Sequence, residues 1–357
     1  MAARAHPVMN TDPTNPVPWL PRPARLSFAV MLVMLVLVGW LHMTTLLLTI
    51  LFASLALRRL SFGRSKLLGI VLFLLLMATV TWGMWTFGIQ AYKSFPRIAE
   101  ATIPAVVSYA ESRGLELPFT DWQSLRALAM TEVEDQYARI GGYARTAAFQ
   151  MVYLIIGLFV SVSLFINSKF RIEGDPHTAD DNMYTLTAQE IGIRFRTFYR
   201  SFSTVMGAQI LISTVNTALT AAFLFAAGFN HAVVLTFVTF LFGLLPIVGN
   251  IASNTIITAV GFTISPKMAL MALLFLITIH KLEYFLNSHI IGNRIKNPMW
   301  LTLLGLLVGE KLMGIPGMIL APVILHYVKV ESSRAKIRAE ELVSANARDA
   351  EDARTAE

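Results

Sequence analysis

The chain contains no cysteine among its 357 residues. Disulfides, thiolate nucleophiles, cysteine-ligated metals and iron–sulfur clusters are therefore excluded. Several enzyme motifs are missing as well: there is no G-x-x-x-x-G-K-[ST] phosphate loop, no H-E-x-x-H zinc motif and no G-x-S-x-G nucleophile elbow. We therefore expect no catalytic residue, no metal site and no cofactor, and a chain that is not an enzyme.

Charge is the second shortage. Only 14% of the residues are charged, 55% are hydrophobic and the mean hydropathy is +0.60, whereas ordinary soluble domains carry about 25% charged residues. No charged residue occurs between Leu26 and Arg58. Several other apolar runs approach the length of about 20 residues that crosses a bilayer as a helix. The sequence therefore predicts an all-α, polytopic transmembrane helical bundle.

The charges that are present have a net value of +7. In a soluble protein this excess would suggest nucleic acid as a partner. Here the basic residues lie mostly in short loops between apolar runs, where they orient helices by the positive-inside rule. We therefore expect no nucleic-acid partner, and a multi-pass protein of the bacterial inner membrane with both termini in the cytoplasm.

Composition divides the chain into seven predicted segments. They are a proline-rich, disordered cytoplasmic tail (1–25), an N-terminal membrane hairpin and span (26–91), an extracytoplasmic amphipathic helical segment (92–145), a span (146–167), a cytoplasmic loop and helix (168–203), a C-terminal transmembrane core with broken helices (204–328) and a charged cytoplasmic tail (329–357).

Three of the apolar runs are predicted to contain broken helices. Leu26–Leu57 is too long for one untilted span and favours a hairpin that turns near Gly39–Thr45, with one long tilted helix as the alternative. The run that includes Leu241–Asn250 is interrupted there, giving either a re-entrant hairpin or two thin spans. The last run, Met299–Val328, is interrupted at Gly309–Gly317.

Such breaks point to a transport site. Non-helical backbone at membrane depth is tolerated only where protein buries it or where it lines a water-filled cavity. The candidate helix-break and gating residues are Gly243, Pro246, Gly249, Asn250, Gly292, Pro298, Gly309, Gly314, Pro316, Gly317 and Pro322.

Polar side chains near the breaks are the candidates for transport or coupling. A charge deep in hydrocarbon costs about 2.5–3.5 kcal/mol on insertion scales, so charges retained there indicate function. These candidates are His280, Glu283, Asn287, Glu310 and Lys311. A carboxylate in a low-dielectric site can bind and release a proton near neutrality, so Glu283 or Glu310 could couple a proton gradient to solute movement.

Structural roles remain open for the same and neighbouring residues. Glu283 could instead reach interfacial water, or pair with Lys281 or Arg294 to hold helices together. Further upstream, Gln209, Ser213, Asn216 and Thr217 have roughly helical spacing and are predicted to join helices, with a pore-facing role as the second choice. Thr187, with Glu190 three residues later, predicts a helix start.

Three stretches resemble the autoinducer-2 exporter family of bacterial permeases: Phe242–Asn250, Leu282–Pro298 and Leu306–Pro322. The positions that match the family pattern are Pro246, Gly249, Glu283, Gly292, Pro298, Gly314, Gly317 and Pro322. Glu310 departs from it, because the family often has glycine there. The resemblance implies a helical permease, whose members are linked either to a signalling furanone or to sodium or lithium exchanged for protons.

From the residues and the resemblance together we expect an exporter of a small solute such as a signalling molecule, with the proton gradient as a candidate driving force. The alternatives are a monovalent cation/proton antiporter and a non-transporting membrane scaffold. The expected partners are a small solute or ion, the lipid bilayer and further copies of this chain.

Overall fold

The structure is a computed structural model that describes residues 22–63, 65–115, 121, 123–124, 140–167, 182–245, 248–291 and 298–355. These ranges contain nine helices and no strand. The helices are α1 (Arg22–Trp40), α2 (Thr44–Leu60), α3 (Lys66–Glu111), α4 (Ile140–Ile166), α5 (Met183–Ala226), α6 (Ala232–Gly243), α7 (Val248–Phe262), α8 (Pro266–Ile291) and α9 (Met299–Thr355).

The predicted fold class is confirmed. Within the described ranges, five stretches are long and apolar enough to cross a membrane, and much of their apolar surface is exposed, as expected of helices that face lipid. They are Arg22–Trp40, Lys66–Glu111, Arg145–Ile166, Met183–Ala226 and Trp300–Ser333. The chain is therefore an all-α polytopic bundle.

The first apolar run turns where the sequence predicts it. α1 ends at Trp40 and α2 begins at Thr44, and His42 between them has a left-handed backbone with φ of 54°. The Met43 N–H donates to the Val38 carbonyl over 2.9 Å and closes the end of α1. The single long helix considered as the alternative is thereby excluded.

α3 is longer than the sequence reasoning allowed. Its 46 residues extend about 69 Å at about 1.5 Å per residue, more than twice the roughly 30 Å of the hydrocarbon core. The helix passes through the segment boundary placed at 91/92 and includes Pro96 and Pro104. It ends at a turn in which Gly114 has a φ of 73°, so part of the predicted amphipathic segment is the end of α3.

α5 likewise begins earlier than predicted and crosses the boundary placed at 203/204. Asn182 caps it, because its Oδ1 accepts from the Thr185 N–H over 2.8 Å. The prediction of Thr187 as the cap is wrong: Thr187 lies inside the helix and is buried. Glu190 is paired with Arg194, one helical turn further on.

The second break forms a helical hairpin. α6 has 12 residues and α7 has 15, about 18 Å and 22 Å, so neither reaches across the hydrocarbon core. Leu235 near the start of α6 and Ile257 near the end of α7 share one hydrophobic cluster. The two helices are therefore antiparallel.

The third break lies inside α9. Gly314 has φ of 63° and ψ of −153°, which is not helical, and the chain reverses there. A Cβ added at Gly309 would lie 2.5 Å from the Gly317 carbonyl oxygen, and one at Gly305 would lie 3.0 Å from Leu325 Cδ1. The two halves of α9 thus pack against each other backbone to backbone, and the predicted interruption is confirmed.

The chain divides into two compact units. The terminal unit comprises Met1–Leu35, Ile172–Thr197 and Glu331–Glu357. The main unit comprises Val36–Arg171 and Phe198–Val330. In the main unit α2 packs on α3 and α4, and α3, α6, α7 and α8 pack together around a cluster of buried aliphatic side chains that includes Leu224, Leu235 and Ala272.

Candidate functional site

The most enclosed acidic side chain near the predicted transport region is Glu283 on α8, at 12% exposure of its side chain. His280 lies one helical turn earlier, with its Nδ1 3.9 Å from Glu283 Oε2, and is 60% exposed. As the spacing of three predicts, the two side chains share a face of the helix.

The α6–α7 hairpin brings Asn250 to this carboxylate. Asn250 is the third residue of α7, and its Nδ2 donates to Glu283 Oε2 over 2.6 Å. The N-terminal turn of a helix carries partial positive charge from its free N–H groups. The position at which the helix restarts therefore supplies both a direct donor and a favourable field for a carboxylate.

α5 supplies the third side chain. Asn216 Nδ2 donates to the same Glu283 Oε2 over 3.0 Å. Asn216 is buried, and its Oδ1 accepts no hydrogen bond from any described residue. We call Asn216, Asn250, His280 and Glu283 the Glu283 cluster; all four lie in the main unit.

Gln209 and Ser213 on α5 join helices, as predicted for this stretch, whereas the buried Oγ1 of Thr217 has no hydrogen-bond partner among the described residues. Gln209 Nε2 donates to the Gly243 carbonyl over 2.7 Å, and Ser213 Oγ donates to the Phe240 carbonyl over 3.0 Å. Both acceptors belong to the last turn of α6, whose carbonyls have no partner within their own helix.

The structure does not bring the remaining charged candidates into the cluster. Glu310 and Lys311 lie in the turn before Gly314, with their side chains 47% and 84% exposed, and their charged groups are 3.9 Å apart. Pro298 lies at the start of α9, where its carbonyl accepts from the Leu301 N–H over 3.1 Å. Pro246, Gly292 and the side chain of Asn287 lie outside the described residues.

Several of the described glycines and prolines of the breaks lie at close contacts or in the first turn of a helix. A Cβ at Gly243 would run into the Ser213 side chain, and one at Gly249 into the Phe242 carbonyl. Pro316 is the second residue after the reversal at Gly314, in the first turn of a helix, where a missing N–H costs nothing. Pro322 lies further along the same half of α9.

The Glu283 cluster can hold a charge and exchange a proton. Two amide donors on one carboxylate oxygen stabilise the ionised form, and protonation weakens such charge-assisted hydrogen bonds. Within the described part of the chain, no three His, Cys, Asp or Glu side chains are grouped as metal ligands. The groups that the cluster offers are one carboxylate, two side-chain amides and one imidazole.

A second polar group, in the terminal unit, was not found by the sequence reasoning. Arg194 on α5 is ion-paired with Glu331 on α9, and its Nη2 lies 2.8 Å from Glu190 Oε2. The guanidinium carbon lies 4.2 Å from the ring centre of Phe28 on α1. Arg194 and Glu331 are both buried. We call Arg194, Glu190, Glu331 and Phe28 the Arg194 group.

The Arg194 group contains residues from α1, α5 and α9, which are far apart in the chain. Glu331 Oε1 is buried and has no hydrogen-bond partner among the described residues. The i, i+4 spacing of Glu190 and Arg194 was a signal available in the sequence, but nothing local indicates that Glu331 completes the group.

Comparison with known proteins adds to this geometry. A family described as AI-2E family transporter matches residues 26–334. The chain belongs to the AI-2E family. It is also 30% identical over 134 residues to a Bacillus subtilis (strain 168) protein named "Putative transport protein YdbI", a match that covers 37% of this chain and 38% of that protein.

Membership of the AI-2E family confirms the resemblance seen in the sequence. The family match includes every member of the Glu283 cluster, all three helix breaks and both carboxylates of the Arg194 group. The match to the Bacillus subtilis protein covers less than half of either chain.

Proposed function

We propose that this AI-2E protein exports a small solute across the bacterial inner membrane, and that Glu283 is protonated and deprotonated during each cycle. The observation that carries the proposal is the Glu283 carboxylate, held by Asn250 at the restart of a broken helix and by Asn216 on α5. Enclosed carboxylates beside broken helices are typical of sites that couple ions to transport.

Protonation of Glu283 supplies a mechanical step. In the ionised state the carboxylate accepts two charge-assisted hydrogen bonds, which hold the start of α7 to α8 and α5. A neutral carboxyl accepts more weakly, so the start of α7 is freed to move. A proton gradient can thus change the position of the α6–α7 hairpin, and the break allows that motion without unfolding a longer helix.

The first test uses cells, because the cargo is not identified. Metabolites in the medium and in the cytoplasm are compared for cells with no protein, wild type, Glu283→Gln and Glu310→Gln. We expect wild type to shift at least one small solute toward the medium, Glu283→Gln to abolish the shift, and Glu310→Gln to retain it, because Glu310 is exposed and outside the cluster.

The second test measures coupling in vesicles. The solute identified in cells is loaded into proteoliposomes, and its efflux is followed with and without an imposed pH gradient. We expect the gradient to accelerate efflux by wild type and to have no effect on Glu283→Gln. Wild-type efflux by Glu283→Gln, at normal abundance, would remove Glu283 from the mechanism.

A monovalent cation/proton antiporter is the second candidate. It is favoured by the buried Oδ1 of Asn216, which lies beside the Glu283 carboxylate and has no hydrogen-bond partner in the described part of the chain, since hard cations prefer oxygen ligands. Sodium or lithium gradients that drive proton movement in empty vesicles would favour it over solute export. Absence of both fluxes would favour a non-transporting scaffold.

A further inference from the structure

Three polar side chains on one face of α5 contact either the Glu283 carboxylate or the end of α6. Gln209, Ser213 and Asn216 follow one another at spacings of four and three residues, which places them on the same side. Asn216 contacts the Glu283 carboxylate itself. The other two contact the end of α6, which precedes the hairpin turn.

Gln209 and Ser213 donate hydrogen bonds to two carbonyls at the end of α6 that cannot find a partner within α6 itself. The last four carbonyls of a helix have no partner within it, and Phe240 and Gly243 carry two of these four in α6. The hydrogen bonds of 2.7 Å from Gln209 and 3.0 Å from Ser213 therefore fix the end of α6 against α5.

Close backbone contacts carry this constraint across the turn to α7. A Cβ at Gly243 would run into Ser213, so α5 and the end of α6 are in direct contact. A Cβ at Gly249 would run into the Phe242 carbonyl, so the start of α7 is in direct contact with the end of α6. Asn250 is the next residue, and it donates to Glu283.

We propose that Gln209 and Ser213 are positioning residues of the transport site: by holding the end of α6, they place Asn250 beside Glu283. The inference rests on the proposed role of the Glu283 cluster and adds two residues that do not touch the carboxylate. α5 thus aligns the donor on α7 as well as supplying its own donor, Asn216.

A double-mutant cycle tests this chain of contacts. Transport of the solute found in cells is measured in vesicles for Gln209→Leu, Asn250→Ala and the double variant. Loss of one hydrogen bond corresponds to about a two- to tenfold change in an equilibrium constant. We therefore expect Gln209→Leu to reduce the transport flux by about that factor. The pH profile of transport by Gln209→Leu should match that of Asn250→Ala. In the double variant, Gln209→Leu should cause no loss of flux beyond that of Asn250→Ala alone.

Two further variants control for general damage. Ser213→Ala removes one hydroxyl and should show a smaller loss with the same pH profile, which keeps the test available if Gln209→Leu folds poorly. Thr214→Val is the matched control, because Thr214 is exposed and bonds only the Ile210 carbonyl of its own helix; its flux should equal wild type. The proposal would be overturned if Gln209→Leu reduced the transport flux by the same factor in the wild-type and in the Asn250→Ala background.

A distance measurement separates this proposal from the proposed function. The absence of cysteine allows spin labels at introduced cysteines that replace the exposed Leu211 on α5 and Ile251 on α7. We expect a narrow distance distribution in the otherwise wild-type protein and a broad one with Gln209→Leu. An unchanged distribution would overturn the positioning role even if Glu283→Gln is inactive. Full activity of Glu283→Gln together with a broadened distribution in Gln209→Leu would overturn the proposed function and its link to transport, while the structural placement of Asn250 by Gln209 would stand.

Discussion

Arg194 is a side chain whose surroundings its local sequence does not reveal. It lies in a polar stretch with Arg196 and Arg200, where basic residues are expected to be solvated at the cytoplasmic surface. Its guanidinium is instead buried and paired with two carboxylates. Removing charges from water is costly. A buried arginine with two carboxylates is therefore stable only when each charge keeps its partner of opposite sign.

The residue-scale prediction follows from that cost. Arg194→Met leaves Glu331 buried without its cation, and removing one partner of a buried pair costs about 3–5 kcal/mol. We expect a clearly lower melting temperature in detergent, measured by the loss of the monodisperse peak in size-exclusion chromatography after heating. Arg196→Met, at an exposed position two residues on, should melt as wild type does. Equal melting of both variants would mean that the Arg194 group contributes little to stability.

Residues of the Glu283 cluster differ in how far the sequence revealed them. The sequence points to Glu283 because a charge near membrane depth is costly and is retained where it has a function. The sequence predicts Asn250 only as part of a helix break, and its role as a donor is visible only in the structure. For Asn216 the sequence predicts helix joining, and nothing in its neighbourhood reveals a partner 67 positions away.

At the scale of elements, the reversal within α9 depends on two glycines that face each other. A Cβ added at residue 317 would overlap the carbonyl oxygen of Gly309. The same added Cβ would lie 2.7 Å from the Cβ of Met313. Backbone atoms cannot move aside as the end of a flexible side chain can. The close approach of the two half-helices therefore requires the absence of a side chain.

We accordingly expect Gly317→Ala to destabilise the protein by about 1–3 kcal/mol, the usual range for overpacking. Gly207→Ala is the matched control: residue 207 is also within a helix, but an added Cβ would meet nothing within 4 Å. That variant should be neutral or slightly stabilising, because alanine favours helix by up to about 1 kcal/mol over glycine. Thermal melting in detergent distinguishes the two, and equal stability would show that the hairpin is not closely packed in solution.

At the scale of the whole molecule, the untested expectations are orientation and assembly. Basic residues flank the first hairpin on both sides, which predicts that both of its ends face the cytoplasm. We therefore expect the segment after α3 to lie outside the cytoplasm and the chain to end inside it. A homo-oligomer also stays a prediction.

Orientation can be tested by labelling single introduced cysteines in intact cells. We expect the position of Gly63 to react only after the inner membrane is permeabilised, and the position of Gly114 to react with an impermeant reagent in cells whose outer barrier alone is opened. Both are exposed or in turns in the structure. Reaction of the two positions from the same side would contradict the proposed topology.

The sequence by itself determined that this is a helical membrane protein, where its helices break and which acidic residue to examine first. These features depend on local properties: runs of apolar side chains, glycine and proline at turns, and the cost of charge in hydrocarbon. Tertiary structure alone decided that Asn216 and Asn250 meet on Glu283, that Glu310 stays exposed and that Glu331 joins Arg194. Such pairings depend on how separate helices pack, and that packing brings together positions whose local sequences carry no information about each other.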